Sequence, residues 1–435
     1  MPPEPKNTAA NVASVPEEIT GQPRRVVAGA LPWRQTFAAL KHRNFRLFFF
    51  GQLISLTGTW MQNTAQSWLV YQLTGSTLLL GIVAAVGSAP MLLFSLWGGS
   101  VADRHPKRAV LLWTQSGMMV LAFVFAGLVW SDLVQPWHIL VLAALGGVAM
   151  AFDMPARQAF MVEMTNREDL MNALSLNSSI VNGARVAGPA VAGILIAQAG
   201  FTACFLLNGL SFVAVLAGLL MMQLPKFIPP AQPESNWQHA LDGFVYVAKH
   251  RRVRTLLLLF AIVGVFGWSY SVLLPAFANA VLHVGSREYG MLLSANGIGA
   301  LCGALTVATY GERLPRGRLV FGGLGLFSLM LLLLAVTWNY YLALFFLAIA
   351  GWGMLLYFST TNTLIQLSVA DGMRGRVMGI WALVFGGMMP IGGLEAGALS
   401  HWLGVPGAVA IGAVVCGAAA LVTWFFVRRN QTDSQ

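Results

Sequence analysis

The sequence predicts an all-α integral membrane protein in which twelve transmembrane helices form two parallel six-helix repeats. Three observations carry this. Of 435 residues, 57% are hydrophobic and only 10% charged, against roughly 25% charged in soluble domains, so a compact globule would lack a water-compatible surface. Stretches free of Asp, Glu, Lys and Arg divide into twelve segments of membrane-crossing length. A basic motif after the second segment returns in weakened form after the eighth.

A helix rising 1.5 Å per residue crosses the hydrocarbon core with about 20 apolar residues. By that ruler residues 47–102 hold spans 1 and 2, joined near Thr74, Gly75 and Ser76, while 109–131 and 133–152 are spans 3 and 4. Residues 170–225 hold spans 5 and 6, interrupted only by Arg185. In the second half, 255–286 and 289–311 are spans 7 and 8, 319–370 hold spans 9 and 10, and 377–427 hold spans 11 and 12, interrupted only by Glu395.

Lys and Arg near short loops stay on the cytoplasmic side of a membrane. With both termini inside, all 26 basic residues except Arg185 and Arg287 fall in inside segments. The expected organisation is a disordered cytoplasmic tail over 1–32, a first bundle over 33–225, a cytoplasmic connector over 226–252, a second bundle over 253–427 and a cytoplasmic tail over 428–435. Trp33, Phe37, Leu40 and Phe45 mark an interfacial helix leading into span 1. Trp237, Leu241, Phe244, Val245 and Val247 suggest a second amphipathic helix behind Pro229, Pro230 and Pro233. The net charge of +10 then reflects topology and the pull of an anionic inner leaflet rather than nucleic acid. Cys204, Cys302 and Cys416 sit in three different spans, giving no disulfide framework and no metal spacing, and no cofactor is expected.

The halves repeat. Asp103 and Glu312, Arg104 and Arg313, Pro106 and Pro315, and Lys107 and Arg316 are each 209 positions apart. Six helices separate each pair, so the copies share an orientation and are related by an axis along the membrane normal. Twelve spans in two parallel halves, with Gly99-x-x-x-Asp103-Arg104-x-x-Lys107-Arg108 between spans 2 and 3, resemble the major facilitator superfamily. Gly58-Thr-Trp60-Met-Gln62, Trp68-Leu-Val-Tyr71-Gln72-Leu-Thr-Gly-Ser76 and Asp153-Met-Pro155-Ala-Arg157-Gln158 look like its branch of bacterial siderophore and drug exporters, the transmembrane secretion effector family. The likeness covers nearly the whole chain beyond the first 32 residues.

The resemblance implies that the loop between spans 2 and 3 is a conformational latch. Gly99 would let span 2 approach a neighbour closely, and Asp103 would cap a helix N-terminus, which the resemblance places at the start of span 11, near Met373 to Val377. Arg104, Lys107 and Arg108 belong to the motif, and Asp153 and Arg157 would close the cluster. Such a latch shuts the inward mouth. The plainer alternative is that the three basic residues only set orientation. Pro106 departs from the family pattern, which usually has Gly there.

Span 5 carries Gly183, Arg185, Gly188, Pro189 and Gly193. Small residues at 184, 188 and 192 share one face and permit close backbone contact, and Pro189 frees the Arg185 carbonyl. The stretch is similar to the family's antiporter motif, which implies export against an ion gradient. Charges within a membrane are expensive and point to function. Arg185 lies near mid-bilayer, held by an anionic substrate, a buried acid or a pinning contact to span 8. Glu395, the only acid deep in any span, is a candidate proton carrier if partly desolvated, or a carboxyl hydrogen-bonded near the outer mouth. Their depths differ, and pairing between them is not expected.

Ser55, Thr59, Gln62 and Gln66 form a polar stripe along span 1 that lipid would not reward. Trp268 and Tyr270 in span 7 and Asn362 and Gln366 in span 10 suggest the remaining walls of an amphiphilic cavity, since the resemblance assigns that lining to spans 1, 4, 7 and 10. Interhelical hydrogen bonding is the alternative role for these side chains. No phosphate-binding Gly-x-x-x-x-Gly-Lys-Ser/Thr loop and no His-Glu-x-x-His or Gly-x-Ser-x-Gly motif occurs. The expected function is therefore not enzymatic. It is secondary active transport by a monomeric multi-pass cell-membrane protein, most simply proton-coupled export of a small amphiphilic molecule by alternating access. Import or facilitated passage of a small solute, and a non-transporting receptor or scaffold, are the alternatives.

Overall fold

A computed structural model describes residues 37–166, 168–224, 236–311 and 313–432. The expected tail over 1–32, Trp33, the connector prolines, Arg167 and Glu312 lie outside the described residues. Among the described residues the chain is helical, without a strand. Nine helices among the described residues are long and apolar enough to cross a membrane. Two of them are double. The helix Leu170–Met221 has 52 residues, roughly 78 Å at 1.5 Å per residue, and turns at Gly200 with φ 76°. Asp371–Thr432 has 62 residues and turns at Gly404 with φ 72°. These left-handed glycines, a conformation costly for residues with a Cβ, occupy the same topological place in the two halves. Arg43–Thr74 completes twelve spans; its polar stripe keeps it below the apolarity of the rest.

The spans are α1 (Arg43–Thr74), α2 (Thr77–Arg104), α3 (Lys107–Trp130), α4 (Pro136–Glu163), α5 (170–199), α6 (201–221), α7 (Arg251–Val281), α8 (Ser286–Tyr310), α9 (Arg316–Ala335), α10 (Tyr340–Leu367), α11 (371–403) and α12 (405–432). Local chemistry sets several ends. Gly75, at φ 60°, terminates α1, and the Ser76 hydroxyl accepts from the Leu79 amide to start α2. Asn339 caps α10 through the amides of Tyr341 and Leu342.

Before α1, the expected interfacial helix narrows among the described residues to a single 3-10 turn, Ala38–Lys41, and Phe45 lies buried within α1. The chain breaks at His42 because Asp169 draws both neighbours toward it, pairing with Lys41 Nζ and His42 Nε2 at 2.7 Å each. Those hydrogen bonds, Lys41 first, hold the Asp169 carboxyl below the usual carboxylate range. A helix Asn236–Lys249 precedes α7, and its Asp242 binds Arg376 in the second turn of α11 at 2.9 Å.

The halves join along α5 with α8 and along α2 with α11. Both seams rest on glycine. A Cβ at Gly290 would collide with the Pro189 carbonyl oxygen, and one at Gly81 with the carbonyl oxygen of Gly393. One hydrophobic core runs across these seams and contains Trp68, Tyr289, Leu80 and Ala396. A separate core, with Phe45, Phe48, Val110, Phe160 and Met161, fills the basic end of the first half alone. Thus the halves are fused at the end opposite the Arg-rich loops and part toward the basic end.

Candidate functional site

The polar stripe of α1 forms one wall of a cavity of about 420 Å3. Thr59, Gln62 and Gln66 line it, together with Asn63 and Ser67 of the same helix. Ser88 of α2 and Asn208 of α6 add polar groups, while Phe125, Leu142 and Met150 supply apolar surface. Ser271 and Val272 of α7 reach in from the second half. Gln62 Oε1 accepts a 2.7 Å hydrogen bond from Asn208 Nδ2, and Gly58 makes this possible, because a Cβ there would sit 2.6 Å from Asn208 Oδ1. The result is an amphiphilic chamber bounded by both halves.

Trp268, Tyr270, Asn362 and Gln366 are not among the residues lining this chamber. Two π-helical stretches, Val263–Gly267 and Phe277–Val281, interrupt α7. Each wider turn rotates the helix face, and Ser271 and Val272 meet the chamber instead. Trp268 stands edge-on to Phe385, and Tyr270 to Phe327. In α10, Gln366 Nε2 donates to Asn362 Oδ1 at 2.7 Å.

Tyr270 is nevertheless part of a second cluster beside the chamber. Arg185, at the midpoint of α5, places its guanidinium carbon 6.0 Å from the centre of the Trp60 ring, within reach of a cation–π contact. Gly188 sets this approach, since a Cβ there would lie 2.5 Å from Trp60 Cβ. Across the seam, Arg185 is within electrostatic reach of Tyr270, which lies beside Asn296 of α8. Among the described residues no acid pairs with Arg185. Its backbone carbonyl oxygen lies 3.2 Å from where a Cβ on Gly297 of α8 would stand. Of the remaining motif glycines, Gly193 lies against Ser286 and Arg287, and Gly183 meets nothing within 4 Å of its Cβ position.

Glu395 belongs to the second half alone. Both of its carboxyl oxygens are buried without a hydrogen-bond partner, and it lies within electrostatic reach of Cys416 on α12. Two residues before it and two after, Gly393 and Gly397 carry the seam with α2.

The end opposite the basic loops is shut. Trp68 of α1 stacks on Tyr289 of α8 with ring centres 5.1 Å apart. At the basic end the following contacts of the latch residues with described residues lie within the first half. Gly99 meets nothing within 4 Å of its Cβ position, and Asp103 and Arg104 are exposed. Lys107 pairs with Glu163 of α4 at 2.9 Å, and Arg108 donates to the carbonyls of Leu220 and Met222. Buried Asp153 accepts from Thr114 at 2.8 Å, from Gln115 at 2.7 Å and from Arg157. All these contacts stay within the first half. At the start of α11, the partner that the resemblance gives Asp103, Arg376 pairs with Asp242.

The sequence profile of the transmembrane secretion effector family matches residues 34–435. The staphyloferrin A transporter of Staphylococcus aureus is 25% identical over 389 residues, spanning 88% of this chain and 96% of its own. The enterobactin exporter EntS of Shigella boydii is 27% identical over 422 residues, spanning 93% and 97%. Among solved structures, a bacterial homologue of the human lysosomal transporter Spinster, inward-facing and occupied, aligns with TM-score 0.70 at 14% identity over 92% of this chain and 98% of that one. The nucleoside transporter NupG aligns with TM-score 0.65 at 15% identity over 89% and 98%. Both structural likenesses concern the fold.

Proposed function

The chain belongs to the transmembrane secretion effector family of major facilitator transporters, and from that premise we propose that it exports a small amphiphilic anion, of the siderophore class, in exchange for protons. The observation that carries this is Arg185, a cation at mid-membrane without an acid partner among the described residues, set between an aromatic ring of each half and beside the chamber. A charge in that position is costly unless something neutralises it, and a transported anion does so transiently. The chamber's mixture of amides, hydroxyls and apolar side chains suits the rest of an amphiphile. The names of the two relatives, a staphyloferrin A transporter and an enterobactin exporter, point to the same class.

By the positive-inside rule the basic end is cytoplasmic and both termini lie inside. The conformation described is then inward-open: sealed outside by Trp68, Tyr289 and the glycine seams, and parted inside. Export requires the opposite state, reached by rocking the halves about α5 with α8 and α2 with α11. Asp103 engages the start of α11 in that state, displacing the Asp242 contact on Arg376. Glu395 carries the coupling proton. Each proton entering down 100 mV releases about 2.3 kcal/mol, enough for roughly a 50-fold outward substrate gradient.

Everted membrane vesicles test the function. With an acidified lumen, enterobactin or staphyloferrin A is taken up by vesicles carrying the chain and not by empty ones, and collapse of the pH gradient abolishes uptake. Uptake of neither, or uptake only under the reversed gradient, overturns the proposal. Asp103→Asn is expected to slow turnover several-fold while leaving membrane insertion and thermal stability unchanged. An unaltered rate removes the latch role.

A further inference from the structure

At the basic end of the second half a cavity of about 1140 Å3 opens between the first turns of α7 and α9 and the last turns of α10 and α12. Its rim carries Arg251, Arg252, Arg254 and Arg316. The Arg254 side chain donates to the Ala248 carbonyl at 2.7 Å. The other three have no ion-pair partner among the described residues. Both helices that start here begin without a side-chain cap, and α9 has no acid in its first turn, nor does the opening helix of α7. Two positive helix ends therefore add to the arginines. Beyond the arginines the lining is largely apolar. Leu258, 57% exposed, and Phe426, 56% exposed, belong to it, and Leu258 lies two turns deeper than Arg251 along α7.

We propose that this cavity binds an anionic phospholipid of the inner leaflet, its phosphate among the arginines and helix ends and its acyl region against Leu258, Phe321 and Phe426. A soluble phosphate would use the rim and leave the apolar wall wet; only an amphiphile uses both. Basic pockets between transmembrane helices on the cytoplasmic side recognise anionic headgroups in this way. The placement at the inner leaflet rests on the orientation proposed above, but the binding itself does not, so transport and lipid retention can fail independently.

The test is native mass spectrometry of the full-length protein in mild detergent, titrated with phosphatidylglycerol or phosphatidylcholine. The wild type retains one phosphatidylglycerol in preference to phosphatidylcholine, and millimolar inorganic phosphate does not displace it. Each lost cation lowers retention about fivefold, so Arg252→Gln with Arg316→Gln lowers it roughly 30-fold, while Arg374→Gln, at the same end but outside the cavity, changes it less than twofold. If the double variant does not fold, Arg252→Gln alone carries the test with its fivefold loss. Equal retention of both lipids, full retention by these variants, or displacement by phosphate overturns the proposal.

Discussion

Arg185→Gln is expected to reduce export by roughly 30-fold to several thousand-fold, the range that follows from losing one partner of a desolvated charge pair. Two outcomes separate this from a structural effect. Because a charged Arg at the centre of a membrane helix costs about 2.5–3.5 kcal/mol, and Arg185 has no acid partner among the described residues, the neutral variant should be no less thermally stable than the wild type. A residue that merely pinned α5 would show the reverse. Arg185→Lys keeps the charge but loses the planar stacking surface over Trp60, so it should retain an intermediate rate with a raised KM. Uptake by Arg185→Gln vesicles within twofold of wild type would remove the anion-anchor role.

Glu395→Gln is expected to uncouple the transporter. The carboxyl is buried without a hydrogen-bond partner among the described residues, on the side of α11 that turns from the α2 seam toward Cys416 of α12. Taking up a proton removes a charge from the interior of the second half, and releasing it restores that charge on the helix that carries the seam with α2. A permanent amide cannot make that change. Substrate exchange across vesicles at equal pH should persist in Glu395→Gln, while accumulation driven by an imposed pH gradient falls to the level of simple equilibration. A preserved response to the gradient would move coupling to another acid, Asp153 or Asp103.

The helical crossings were legible because their signal is one-dimensional: charge-free length marks each of them. The α1 stripe was legible for a similar reason: Thr59, Gln62 and Gln66 recur at helical spacing, and α1 is regular throughout. Trp268 and Tyr270 were named because the resemblance assigns span 7 to the cavity, which does not say which of its residues face inward; Ser271 and Val272 line the chamber described here. Asn362 and Gln366 satisfy each other, an outcome that spacing alone does not separate from cavity lining. Trp60 was missed as the ring beneath Arg185 since their meeting depends on the close approach of α1 to Gly188, a property of two helices rather than one. The latch motif was readable as chemistry, but a sequence does not state which conformation is populated, and Asp103 is exposed in this one.

Rocking of the two halves is tested most directly by spin-label distances at both ends of one seam. Labels at His105→Cys and Gly372→Cys span the basic ends of α2 and α11, and labels at Thr77→Cys and Trp402→Cys span their opposite ends, in a background where exposed Cys302 is replaced by Ser. Under an imposed pH gradient with enterobactin or staphyloferrin A present, the first distance should shorten as the second lengthens, in the same fraction of molecules. Flux continuing while neither distance changes, or both distances moving in the same sense, would contradict the account.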